Sequence, residues 1–260
     1  MTFSYKNTSI NFSSEGKGRT IVLLHGFLEN SSMWNLISKE LSKKFRVVCI
    51  DLLGHGKTEN HGYIHTMKDQ AEMVIAVLKY LRLRKYILIG HSMGGYIALE
   101  ISKLVPKNIK GLCLMNSTAL PDSEEKKINR DRAISAVKQN HKTFIRIAIP
   151  MLFSERNRAV FTSEIKNITN EALKMYPQGI IAALEGMKIR KNNTSIYKNV
   201  DFPILMIIGK EDPALDYNSL IAQTKNTNVQ IIEFPDGHMS HIENKDTLIS
   251  SLISFAKHCN

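Results

Sequence analysis

The first 116 residues alternate short apolar runs with longer stretches whose apolar positions recur every three or four residues. Thr20–His25, Arg46–Leu52, Tyr86–Gly90 and Lys110–Asn116 are the runs. Their middles are continuously apolar and rich in Val, Ile and Leu, as in strands buried on both faces. Helical patterns lie between them. One starts at Ser31 or Ser32 and reaches about Lys43. A second, Met67–Leu83, puts Met67, Ala71, Val74, Val77, Leu78 and Leu81 on one face. A third, Met93–Val105, is ended by Pro106. Strands separated by helices of this length predict βαβ units and a mostly parallel sheet. Ser4–Ser14 reads as a hairpin adding antiparallel strands at the edge.

The rhythm changes after Asn116. Only helical patterns follow: Ser123–Gln139, Phe144–Phe153, Ser163–Tyr176 and Gln178–Arg190. Strands then return at Pro203–Gly209 and Val229–Phe234, with helices at Tyr217–Thr224 and Thr247–His258. The predicted organisation is an α/β core from residues 1–117 and 200–260, interrupted by a helical cap over 118–199.

Composition narrows the class. The 260 residues are 43% hydrophobic and 23% charged, which excludes wholesale disorder, collagen and a disulfide scaffold. No apolar run approaches the roughly 18 residues needed to span a bilayer. The N-terminal Met1–Asn7 lacks the apolar stretch of a secretory leader. Three cysteines, Cys49, Cys113 and Cys259, are odd in number and far apart, with no CxxC. Cys49 and Cys113 sit in strand runs as small buried thiols. This usage fits a reducing cytoplasm and gives no support for structural zinc. The net charge of +11 comes from scattered lysines, with one Trp and no basic run longer than two. That distribution argues against nucleic-acid binding.

The sharpest chemical signal is Gly90-His91-Ser92-Met93-Gly94-Gly95, a G-x-S-x-G between a predicted strand and a predicted helix. A chain turning that sharply holds its central residue in a strained conformation, so residues two positions away must be tiny. Gly90 and Gly94 meet this need. The turn exposes Ser92 Oγ at the C-terminal edge of the sheet, above a helix N-terminus that favours negative charge. A serine needs a base to take its proton. His238 follows the last strand at the same edge. The base needs an orienting carboxylate. Asp212 follows the preceding strand, with Glu211 as its competitor. An oxyanion hole needs two backbone N–H groups. Met93 offers one, and Phe27, in the loop after Thr20–His25, is the candidate for the other.

On these residues the chain resembles the α/β-hydrolase family, in its cap-bearing, esterase-like branch. The carrying segments are His25-Gly26-Phe27, Asp51–Gly56, Gly90–Gly95, Gly209–Asp212, and Gly237-His238 with Glu243. The resemblance implies an eight-stranded, mostly parallel sheet flanked by helices. It also implies a Ser92–Asp212–His238 triad, Phe27 and Met93 as oxyanion donors, and no metal or cofactor. The elbow under a helical cap looks closest to carboxylesterases that trim methyl esters from acyl-carrier-protein-bound biotin precursors. The expected activity is therefore cytoplasmic serine hydrolysis of a small carboxylic ester through an acyl-enzyme. An acidic acyl carrier protein is a candidate partner. A carbon–carbon hydrolase or lyase on the same triad, or a ligand receptor retaining it, are the alternatives.

Several residues compete for roles. His241, three after His238, is the rival base. Asp51 ends a strand at the catalytic edge and is an alternative acid, though Gly54-His55-Gly56 after it suggests a structural loop. The other position for an acid, after the fourth strand, holds Asn116-Ser117. His25 and His55 are expected to bond loop backbone, and His91 to point away from the nucleophile's face. His61 and His65 have a metal-like spacing, but Gly62 argues for a loop. The cap is basic: Lys126, Lys127, Arg130, Arg132 and Lys138, then Lys142, Arg146, Arg156 and Arg158. That is either a solvated face or a dock for an acidic partner or a substrate carboxylate. Cap residues Met151, Phe153, Phe161, Met175, Tyr176 and Met187 are core or pocket wall.

Overall fold

The computed structural model describes residues 1–259. Eight strands are present: β1 (Thr2–Tyr5), β2 (Thr8–Glu15), β3 (Thr20–Leu24), β4 (Arg46–Ile50), β5 (Tyr86–His91), β6 (Ile109–Met115), β7 (Ile204–Gly209) and β8 (Gln230–Phe234). They form one sheet in the order β1-β2-β4-β3-β5-β6-β7-β8. The expected hairpin supplies the antiparallel edge: β1 pairs with β2 and β2 with β4 in antiparallel register, and every later pairing is parallel. Lys6 and Asn7 close the hairpin at φ 48° and 63°. A two-residue turn of that hand matches the twist of the strands it joins.

Successive residues of the central strands feed two cores. Ile21 and Leu23 pack with Trp34, Ile37, Leu248 and Leu252, which belong to α1 (Asn35–Leu41), its leading turn, and α9 (Lys245–His258). Val22 and Leu24 pack with Val74, Leu78, Ile97 and Ile101, from α2 (Met67–Tyr80) and α3 (Met93–Leu104). Period-two alternation between two covered faces is why these strands read as unbroken apolar runs. The start expected at Ser31 or Ser32 is capped one residue earlier. Asn30 accepts from Ser32 N at 2.9 Å, because the first turn, Ser31–Trp34, is a tighter 3₁₀ turn.

Between β6 and β7 the chain forms only helices and turns. These include α4 (Glu124–Ala148), α5 (Thr162–Ala172) and α6 (Pro177–Lys188). α4 is broken at Asn140, whose backbone is extended at φ −159° and ψ 91°. The Asn140 side chain accepts from Thr143 N at 3.0 Å and so caps the second segment. Two helices were expected over this span, and one asparagine separates them. The second was expected to reach Phe153 but stops at Ala148, ahead of Pro150. The remaining helices are α7 (Tyr217–Gln223) and α8 (Ser240–Glu243). No helix among the described residues is long and apolar enough to cross a membrane.

The helical block is tied to the core where β8 leads into α8. His238 N donates to Leu152 O at 2.9 Å. Glu243 Oε1 accepts from Ser154 N and Ser154 Oγ at 3.0 Å and from Asn157 Nδ2 at 2.9 Å. Arg156 reaches across to Asp236 at 2.7 Å.

Candidate active site

Ser92 is the single residue between β5 and α3, at φ 49° and ψ −114°. Few non-glycine residues adopt a positive φ, and such strain concentrates at functional positions. Its surroundings enforce it. A Cβ on Gly90 would run into the Gly94 backbone, and one on Gly94 would run into the carbonyls of Leu24 and His25. Both glycines are therefore required by close backbone approach, one within the elbow and one against β3.

His238 lies in the loop after β8, and Asp212 in the turn after β7. His238 Nδ1 is 2.8 Å from Asp212 Oδ2. A carboxylate in that position fixes the Nδ1–H tautomer and leaves Nε2 able to accept a proton. The second carboxylate oxygen, Oδ1, accepts from Ala214 N at 2.8 Å and Leu215 N at 3.1 Å. Burial works to raise the Asp212 carboxyl. The charge and hydrogen bond of His238, with the Asn116 amide and Ala214 N–H, outweigh it and hold the group below the usual carboxylate range. Glu211, the competing acid, is half exposed and lies 3.8 Å from Arg156. Asp51 accepts from Ser31 N, Asn11 Nδ2 and Lys57 N, so it organises loops.

His25 and His55 bond loop backbone, through Gly26 O and Leu53 O respectively. His61 bonds Thr8 Oγ1, and His65 lies with it in the loop before α2. His241 makes no contact with Asp212; its Nε2 is 3.5 Å from Glu29 Oε1.

His91 departs from expectation. Far from turning away, it lines the same cavity as Ser92 and its ring sits 5.0 Å from that of His238. Its Nδ1 is 2.7 Å from Glu29 Oε2 and its Nε2 3.0 Å from His238 O. Both neighbours are acceptors, so both ring nitrogens carry protons, and His91 is an imidazolium paired with a buried carboxylate. Burial opposes both charges, but the pairing prevails. It raises His91 and holds Glu29 down at about 2. Glu29 Oε2 also accepts from Gly26 N at 2.9 Å. One carboxylate thus links the loop carrying Phe27, the elbow and the His238 loop. Glu29, His91 and His241 bring donor atoms within 4.8 Å of one another, the one such trio of metal-ligand type among the described residues. Two of its three members are already paired as an ion pair.

Asn116, at φ 45°, donates through Nδ2 to Asp212 Oδ2 and to Gly237 O, both at 3.1 Å. Sequence reasoning weighed it only as a position lacking a carboxylate, and passed over Glu29 altogether.

Ser92 and His238 open into a cavity of about 380 Å³ that Phe27 and Tyr96 also line. The helical block supplies much of the wall, including Phe144, Leu184 and Met187. Of the six cap residues weighed as pocket wall, Met187 alone lines this cavity. Phe153 stacks near Phe161, and Tyr176 is exposed. Met93 N opens α3, and neither Met93 N–H nor Phe27 N–H donates to a protein acceptor among the described residues.

The chain matches the family described as alpha/beta hydrolase fold over residues 19–245. It is 28% identical to a thermophilic esterase from Thermogutta terrifontis, covering 98% of this chain and 96% of that one at a TM-score of 0.91. An enol-lactonase from Burkholderia xenovorans, 20% identical, shares the fold at the same TM-score over 99% of this chain and 100% of that one. Human monoacylglycerol lipase is 26% identical over 242 residues, 84% of this chain and 69% of the lipase. The dihydrolipoyllysine-residue acetyltransferase component of an acetoin cleaving system from Pseudomonas putida is 25% identical over 255 residues, 95% of this chain. The chain spans 66% of that component's length, just under two thirds. It spans 31% of an uncharacterized Mycobacterium tuberculosis protein that is 30% identical over 106 residues, 41% of this chain.

Proposed function

The chain belongs to the α/β-hydrolase family, and from that premise we propose that it is a serine hydrolase cleaving a carboxylic ester. One observation carries the reading. A serine at a strained strand–helix turn opens into the same cavity as a histidine whose Nδ1 is bonded to a buried carboxylate. The likeness to the Thermogutta esterase supports the substrate class.

The geometry fits two half-reactions. Ser92 Oγ attacks the ester carbonyl while its proton passes to His238 Nε2. The carbonyl oxygen takes the negative charge, facing the N–H groups of Met93 and Phe27. His238 then gives the proton to the leaving oxygen, the alcohol departs, and the acyl group stays on Ser92. Water repeats the attack with His238 as base, and the acid leaves. Asp212 stays ionised throughout and stabilises the imidazolium. The role proposed for residues 118–199 is that of a lid over this cavity, walling the acyl group from water.

Ser92→Ala should abolish turnover of nitrophenyl esters, with a loss of about 10⁶ in kcat expected for a triad serine. Its thermal unfolding should match the parent's or exceed it, since alanine removes only the hydroxyl. A variant retaining more than about a hundredth of parental kcat would overturn Ser92 as the nucleophile.

A further inference from the structure

One wall of the cavity is charged, and the charge does not cancel. Lys126, Asn129 and Arg130 occupy positions i, i+3 and i+4 on α4, one face of a helix, and all three line the cavity that holds Ser92 and His238. Lys126 Nζ donates to Ala214 O at 3.2 Å and has no carboxylate partner among the described residues. Arg130 Nε is bonded to Asp122, whose side chain is fully buried. Asp122 is also bonded by the buried Arg190. One carboxylate therefore serves two guanidiniums. Three cations (Lys126, Arg130 and Arg190) against one anion (Asp122) leave a local surplus of two positive charges. Among the described residues the one acidic member of the cavity wall is Glu29, which His91 already neutralises.

The arrangement is built from beneath. Arg190 lies 4.1 Å from the Tyr96 ring centre, and Tyr96 is itself part of the wall. Arg190 and Asp122 together fix Arg130 through its Nε. The two Nη groups of Arg130 have no acceptor among the described residues, and such a forked pair of donors matches the two oxygens of a planar carboxylate. Lys126 adds a point charge beside it. Of the nine Lys and Arg residues from Lys126 to Arg158, Lys126 and Arg130 alone line this cavity among the described residues.

We propose that Lys126, Asn129 and Arg130 form a carboxylate subsite, and that the substrate is a half ester of a dicarboxylic acid. Its ester carbonyl sits at Ser92 and its free carboxylate against α4. The apolar residues that line the same cavity, including Phe144, Leu152 and Leu184, suit the connecting methylene chain. This proposal rests on the serine-hydrolase reading above.

The test compares monomethyl with dimethyl esters of the same diacids over a series of chain lengths. At the matching length the half ester should win by about tenfold to a hundredfold in kcat/KM, the range for hydrogen bonds to charged groups. Lys126→Gln and Arg130→Gln should each lower that ratio about tenfold or more, through KM for the half ester. Arg130→Lys should recover only part of it, since a point charge cannot replace the fork. Calorimetry on the Ser92→Ala protein gives a readout that needs no turnover. It should bind the matching half ester more tightly than the diester, and adding Lys126→Gln should remove the difference. If parental enzyme cleaves both esters through Ser92 with no preference at any length, the subsite is refuted while the hydrolase reading stands. If no ester is cleaved, the hydrolase reading fails, and the subsite stands or falls on calorimetry alone. Equal binding of half ester and diester would refute it.

Discussion

At the residue scale, side chains that touch neither Ser92 Oγ nor His238 Nε2 set how Ser92 and His238 sit. The Glu29–His91 pair is the main example. Replacing Glu29 with Gln leaves a carbonyl oxygen that still accepts from Gly26 N and from His91 Nδ1–H. It removes the charge that keeps His91 doubly protonated. His91 Nε2 would then face His238 O at 3.0 Å with no proton between them, and two acceptors at that distance repel. Glu29→Gln should therefore move the His238 loop. We expect kcat to fall about tenfold to a hundredfold with KM little changed, the pattern of a lost transition-state interaction. A rise in KM at constant kcat would assign Glu29 to substrate binding instead. Asp212→Asn should be harsher, about 10³ to 10⁴ in kcat, because an amide can hold the wrong tautomer and cannot stabilise the imidazolium. A Asp212→Asn variant within tenfold of the parent would remove Asp212 as the orienting acid. The shared cavity of Ser92 and His238 and the bond from His238 to Asp212 were legible because each residue follows a strand within two positions of glycine or proline. Glu29 and Asn116 were not. Their partners lie 62 and 96 positions away in the chain, and only the folded sheet brings them together. The one available signal was a polar residue at the catalytic end of a strand or in the loop after it.

At the element scale, β3 to β7 were legible because strands covered on both faces must be apolar at consecutive positions, while β1 and β2 were legible as a hairpin and the half-exposed β8 as a short apolar run. The boundaries that slipped are those decided by side-chain capping. Asn30 capped a helix start assigned to serine, and Pro150 ended the second segment of α4 early. Nothing in the periodicity announced that the helical block would be pinned to the His238 loop. Glu243 does that work. Its two carboxylate oxygens accept from Ser154, Asn157 and Met239. Glu243→Ala would leave those donors without their partner and free the loop. Unsatisfied buried donors cost about 1–3 kcal/mol each, so unfolding should fall by several degrees in Tm. kcat should drop with it, because His238 N–H bonds Leu152 in the same segment. A variant with parental Tm and reduced kcat would confine Glu243 to the site; parental values of both would mean the pinning carries nothing.

At the scale of the whole molecule, two acid-sensitive effects coincide, and they can be separated. The chain carries a net charge of +11, and lowering the pH adds to that self-repulsion. It also holds buried histidines that resist protonation. Burial lowers His55 to about 3, and His65 and His241 to about 4. In the unfolded chain each would titrate near 6.5. Between those values the unfolded state binds more protons than the folded one, so stability falls as pH drops from about 6.5 towards 4. Each unit of depression corresponds to about 1.4 kcal/mol. His91 works the other way. Its raised value favours the folded state; that contribution is fully present below about 6.5 and is lost as pH rises through the raised value, so His91 adds no slope of its own between about 6.5 and 4. Burial also lowers His25, so four depressed histidines leave a net loss on acidification. Salt distinguishes the two causes. At about 1 M salt the Debye length is about 3 Å, which screens surface repulsion but barely reaches buried rings. Tm measured from pH 7 down to pH 4.5 should therefore keep most of its slope in about 1 M salt. His65→Gln should flatten that slope, since glutamine does not titrate. Disappearance of the slope in high salt would assign acid lability to the surface charge and leave the buried histidines without a role in it.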